Sequence, residues 1–178
     1  MAFFSFGEYI EGKSFKVLDE RKMRGSAGIM FLLGMIAFIN GFILQNYIAI
    51  TYISGFLLVN FAIGIFINPK FSPTVFITAL FVRKQSPLPI GAVQKRFAWT
   101  LGLLLAAAIF GMSFLLQTDA VTYFEPVCIL CLICLVLLFL ETAFGICIGC
   151  KFYYLFLKLK LIKQPKEKPN CMGDACEV

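Results

Sequence analysis

No histidine occurs anywhere in the 178 residues, and Asp, Glu, Lys and Arg together supply only 15% of the chain. The first absence removes imidazole, the usual proton shuttle near neutral pH and the commonest metal ligand. Any metal site would have to rest mainly on thiolates, which select zinc, Cu(I) or iron–sulfur centres. The shortage of charge is as telling, because a soluble domain is nearer one quarter charged. The net charge of +6 does not point to nucleic acid, since no basic groove can be built between so many apolar runs. Cysteine is missing from the first 127 positions, so all seven fall in the C-terminal third. The N-terminal stretch MAFFSFGEYIEGKSFKVLDERKMR lacks an uninterrupted apolar core and a cleavage site. It therefore does not read as a signal peptide, and the first span is expected to act as its own insertion signal.

What is present is apolar surface, 60% of the residues, more than a chain of this size can bury in its own core. Runs long enough to cross a bilayer stand at about residues 25–44, 48–67, 97–116 and 127–148. The expected fold class is an all-α membrane protein, a four-transmembrane-helix bundle forming one domain over residues 1–163. A flexible tail, 164–178, follows. Interfacial helices are expected before the first span, between the second and third (Thr74–Val82), and after the fourth (151–163). Small residues such as Ser26, Ala27, Gly28, Gly102, Ala106 and Gly111 suit close helix packing, and Asn40 and Asn60 suit hydrogen bonds between helices.

Basic residues set the expected orientation. Five Lys/Arg precede the first span, five lie in 68–96 and six follow Cys150, which accounts for all sixteen. The two remaining loops have none, so both termini are expected in the cytoplasm of a bacterial inner-membrane protein.

The chemistry concentrates in CILCLICLVLLFLETAFGICIGC, residues 128–150. Cysteines three apart on a helix share a face. Cys128 and Cys131 therefore pair at the outer end and Cys147 and Cys150 at the inner end. Cys134 drifts off the outer face. Pro126 reads as a helix start, which would place the outer pair where free N–H groups stabilise a thiolate. The inner pair reads as the C-terminal end of the span, where the helix dipole opposes ionisation. Glu141, an acid within a span, is a further candidate, with Asn60 or the Arg96 end of the third span as its expected partners. The candidate catalytic residues are thus Cys128, Cys131, Cys147, Cys150 and Glu141. The candidate metal ligands are Cys147, Cys150, Cys171 and Cys176, for zinc or Cu(I). Along a regular helix the two pairs stand roughly 24 Å apart, so a carrier such as a quinone would be needed to join them.

The stretches LDERKMRGSAG (18–28), INPKFSPTVFI (67–77), VRKQSP (82–87), GAVQKRFAW (91–99), FGICIGCKFY (144–153) and the terminal Cys171-Met-Gly-Asp-Ala-Cys176 resemble the DUF4395 family of small bacterial membrane proteins. The resemblance implies a four-span bundle without an assigned activity. Its relatives' association with rhodanese- or thioredoxin-like domains implies sulfur or thiol redox and a partner of that kind. The outer Cys-Ile-Leu-Cys also looks like the active-site pair of the vitamin K epoxide reductase type, which passes electrons to quinone. The shuttle cysteine pair of that type, in an outer loop, is missing here. The functional expectation is a membrane protein handling thiol/disulfide or sulfur redox. The alternatives are a non-catalytic carrier of soft metal or sulfane sulfur, or a membrane anchor for a redox enzyme.

Overall fold

A computed structural model describes residues 6–9 and 16–160. Four helices in it are long and apolar enough to cross a membrane, as expected: Glu20–Ile43, Tyr47–Ile67, Ala92–Thr118 and Ala120–Phe144. The protein is a multi-pass, four-span helical bundle. In the first two spans the regular part, α1 (Glu20–Phe38) and α2 (Tyr47–Ala62), ends in a single wider π-type turn, Ile39–Ile43 and Ile63–Ile67. A short helix α3 (Pro73–Phe81) lies between the second and third spans, begun by Pro73 at its first position. The long helices α4 (Ala92–Thr118) and α5 (Ala120–Phe144) follow, joined at Asp119, and α6 (Ile148–Lys158) closes the described chain.

Small residues decide which helices meet. Gly28 and Gly34 of α1 face Thr142 and Leu135 of α5. Gly102 of α4 faces the ring of Phe61 on α2, and Ser26 on α1 bonds Thr74 on α3 across 2.7 Å. Gly111, expected to share in this packing, has no neighbour within 4 Å of where a side chain would start. Trp99 and Phe61 meet edge to face at 5.4 Å in the main core.

Asn60 is fully buried and joins helices on both sides: its Nδ2 donates to the Met30 sulfur on α1 at 3.5 Å, and its carbonyl oxygen holds α3. Its Oδ1 accepts the Ser72 hydroxyl at 2.7 Å, the Thr74 hydroxyl at 3.0 Å and the Thr74 amide at 3.1 Å. Three donors on one carbonyl oxygen pin the start of α3 to the second span. Asn40 departs from expectation: its amide donates to the Ile36 carbonyl on its own helix, in the wider turn that leaves carbonyls free.

No interfacial helix precedes the first span among the described residues. Instead Val17–Asp19 (β1) pairs antiparallel with Pro89–Gly91 (β2), Leu18 opposite Ile90, and the helix begins at Glu20 with Asp19 as its N-cap. The two-stranded tie holds the starts of α1 and α4 at one end of the bundle. Arg24 reinforces that end, donating to the carbonyls of Thr142 and Ala143 at the close of α5. The Lys70–Glu8 ion pair lies near the surface.

Candidate functional site

The fourth span does not run to Ile148. It ends at Phe144, where Gly145 takes the left-handed conformation (φ 68°) that glycine adopts without strain. Ile146 follows in the break, and a new helix starts with Cys147 as its N-cap. The expectation that the inner pair sits at a helix C-terminus is therefore reversed. Cys147 occupies the cap and Cys150 the third helical position, the pattern in which a side chain accepts from the backbone N–H three residues on. The Cys147 Sγ accepts the Cys150 N–H at 3.3 Å, and the two sulfurs lie 2.7 Å apart.

The outer pair is corrected in the opposite sense. Helix α5 begins at Ala120, capped by Asp119, and Pro126 lies inside it. Cys128 and Cys131 are thus beyond the second helical turn, where backbone N–H groups are already paired within the helix. The helix-start argument for their reactivity fails because Asp119 is the better cap and proline is tolerated in a lipid-facing helix. Both are half-buried, and Cys131 and Cys134 pack against a small apolar cluster around Val127 and Leu116.

The surroundings of Cys147 and Cys150 come from three elements, α4, α5 and α6 itself. Glu141, on the last full turn of α5, forms an ion pair with Lys95, on the first turn of α4. The Lys95 side chain is 5% exposed and that of Glu141 18%. Neither Asn60 nor Arg96, the partners expected for Glu141, is the one found. By sequence Lys95 counts among the loop charges of 68–96, next to Arg96. Helix α4 begins earlier than expected, at Ala92, so the GAVQKRFAW stretch is helical and turns Gln94 and Lys95 inward. Gly149 packs on Ala98, where an added Cβ would come within 2.6 Å of the alanine methyl, so no side chain fits between α6 and α4. Phe97 meets the rings of Tyr153 and Phe156 and holds α6 along the start of α4.

These neighbours give the two thiols opposite characters. The Cys150 S–H donated to Cys147 holds the Cys147 thiol below its ordinary value despite burial, and the Lys95 ammonium assists. Cys150 is pushed up by the same bond, since its proton is in use, and by burial. The arrangement is one thiolate-prone sulfur at a helix N-terminus with a buried thiol as its hydrogen-bond donor, the polarised form of a Cys-x-x-Cys pair.

Beside this pair a cavity of about 110 Å³ runs into the bundle. Its lining includes Cys147, Glu141 and, deeper, Cys134, together with Phe61 and Trp99. Cys128 and Cys131 do not line it. Cys171 and Cys176, the remaining proposed metal ligands, lie outside the described residues. Among the described residues no three Cys, Asp or Glu side chains gather as a metal-binding group.

A family model described as "Domain of unknown function (DUF4395)" matches residues 18–158. The chain belongs to that family. No curated protein and no solved structure matches it.

Proposed function

We propose that this member of the DUF4395 family is a membrane thiol–disulfide redox protein whose working dithiol is Cys147/Cys150. The observation that carries the reading is the break at Gly145–Ile146, which gives this Cys-x-x-Cys the start of a helix and a buried Lys95–Glu141 pair behind it. By sequence, thiol or sulfur redox is expected through the cysteine pairs of the fourth span and of the tail; the geometry favours Cys147 and Cys150. The basic residues cluster at the same end of the bundle, which supports a cytoplasmic position for the dithiol and for both termini in a bacterial inner membrane. From there Cys147, half-buried rather than enclosed, is offered to a soluble thioredoxin- or rhodanese-like partner. Exchange needs a thiolate to attack one sulfur of the partner's disulfide, and Cys147 is the sulfur prepared for it.

The test is a redox titration of purified protein in nanodiscs, with the other five cysteines replaced by serine and the thiol state trapped by a maleimide of added mass. A single two-electron transition between dithiol and disulfide is expected, and Cys147→Ser abolishes it. If the retained pair stays reduced across the whole range of glutathione poises, while a variant keeping only Cys128 and Cys131 oxidises, the assignment is wrong.

A further inference from the structure

The cavity beside the dithiol has a chemistry of its own. Phe61 and Trp99 form aromatic wall, and the lining is apolar apart from Glu141 and Cys147 at one end and the Cys134 thiol deeper in. Ile148 and Gly149 also line it, in the first turn of α6, where helix N–H groups have no partner within their own helix. An apolar space with a few convergent polar groups at one end is the general form of a small-molecule site. Its rim includes Leu101, Leu137 and Phe152, which are 38%, 36% and 46% exposed on the flank of the bundle. On a membrane span that flank meets lipid, so an occupant enters from the bilayer. An apolar cavity of roughly 150 Å³ accepts a benzene ring. This one, at about 110 Å³ and open on the lipid side, takes one six-membered ring with its substituents left in the mouth.

We infer that this cavity binds the ring of a membrane quinone and that the quinone is the two-electron acceptor for the Cys147–Cys150 dithiol. The inference rests on the redox reading above and adds the oxidant. In the step, the sulfurs of Cys147 and Cys150 join in an S–S bond and give up two electrons. The quinone takes both electrons and becomes a hydroquinone. One of its protons comes from the Cys150 thiol. The other comes from water at that end, replacing the proton Cys147 had already released. Lys95 keeps the Cys147 sulfur ionised until the electrons leave. A quinone fits this position because it is lipophilic, flat, and carries two electrons with two protons, which a dithiol must lose together.

The protein carries its own reporter: Trp99, its one tryptophan, lines the cavity, and quinones quench tryptophan fluorescence. The experiment titrates a short-tailed quinone with a fully substituted ring, which cannot add thiols to ring carbon, into full-length protein in nanodiscs. Saturable quenching is expected, weakened at least tenfold by Cys134→Phe, which fills the cavity, and by the milder rim change Leu137→Phe. Native protein should be converted to the disulfide with one hydroquinone formed per dithiol, and a serine variant at both Cys147 and Cys150 should form none. Linear, non-saturable quenching, or equal displacement by an acyl-chain fatty acid, overturns quinone binding. Saturable quenching with no hydroquinone formed overturns the electron step. Both failures are separate from that of the redox reading, because the glutathione titration contains no quinone.

Discussion

Removing one member of the Lys95–Glu141 pair should harm the protein more than removing both. The Lys95 ammonium stands on a side chain only 5% exposed, facing a carboxylate on a side chain 18% exposed. Breaking a buried pair by deleting one partner typically destabilises by about 3–5 kcal/mol, whereas replacing both by apolar residues of similar volume is often near neutral. Glu141→Gln leaves a buried ammonium without its counter-charge, and Lys95→Met leaves a carboxylate in the same position. Each single change is expected to lower stability by about 3 kcal/mol, and the Lys95→Met, Glu141→Leu double variant by about 1–2 kcal/mol. The coupling is then about 4 kcal/mol or more, well above the ~1 kcal/mol ceiling of an exposed pair. The assay is unfolding by titrated SDS in mixed micelles, followed by circular dichroism, as a double-mutant cycle. A thiol readout separates electrostatics from mere damage. Lys95→Met should raise the pH at which Cys147 ionises, because the ammonium favours the thiolate, and Glu141→Gln should lower it further. Additive single effects with a coupling below about 1 kcal/mol would show that the pair is solvated and refute the buried-site reasoning.

The pH dependence of Cys147 follows from the direction of its shift. A thiol held below its ordinary value of 9.0 adds stability above that value, lost as the pH falls through the folded one. Alkylation of Cys147 by iodoacetamide should therefore begin below pH 9, and Cys150→Ala, which removes the S–H donor, should move the onset upward. Serine at both Cys128 and Cys131 should leave that profile unchanged, and a shift there would reopen the outer pair. Asn60→Ala strands the Ser72 and Thr74 donors in the core and should cost about 2–4 kcal/mol in the same SDS unfolding assay, with the alkylation profile of the surviving fold intact. Gly145→Ala places a Cβ in a left-handed turn, 3.1 Å from the Arg24 guanidinium. It should cost about 1 kcal/mol or more and slow Cys147 alkylation by displacing the start of α6.

The spans were legible because hydropathy and length alone decide them. Ile48–Ile67 differs by a single residue from the observed second span, Tyr47–Ile67. Boundaries failed where apolar residues continue through a change of structure. FGICIGC has no charge and no proline, so nothing in its hydropathy ends a helix, and the one signal was Gly145. A glycine inside a span reads equally well as a packing contact, which is what Gly28 and Gly34 are. Lys95 was hidden for a related reason. Its neighbour Arg96 is exposed, and a two-residue basic step gives no hint that successive residues on a helix point about 100° apart, one inward and one out. The β1–β2 pairing was illegible because three-residue strands carry no period. It joins Val17–Asp19 to Pro89–Gly91, far apart in the chain.

Two Cys-x-x-Cys pairs of nearly equal composition thus differ through the backbone beneath them. In α5, Cys128 and Cys131 sit on a helix whose N–H groups are consumed by the turn before, so no free backbone donor is left for a sulfur there. At Cys147 the chain has just left one helix and begins another, so the same residue type meets the Cys150 N–H, the Cys150 S–H and a nearby ammonium together. Gly145 creates that meeting, Arg24 fastens the carbonyl end that precedes it, and Gly149 lets α6 lie close enough to α4 for Lys95 to take part. The surroundings of the inner pair are therefore a product of where the fourth span stops. Any change that lets α5 continue through residue 145 should convert the inner pair into a second copy of the outer one, with both thiols unpolarised even though every cysteine remains.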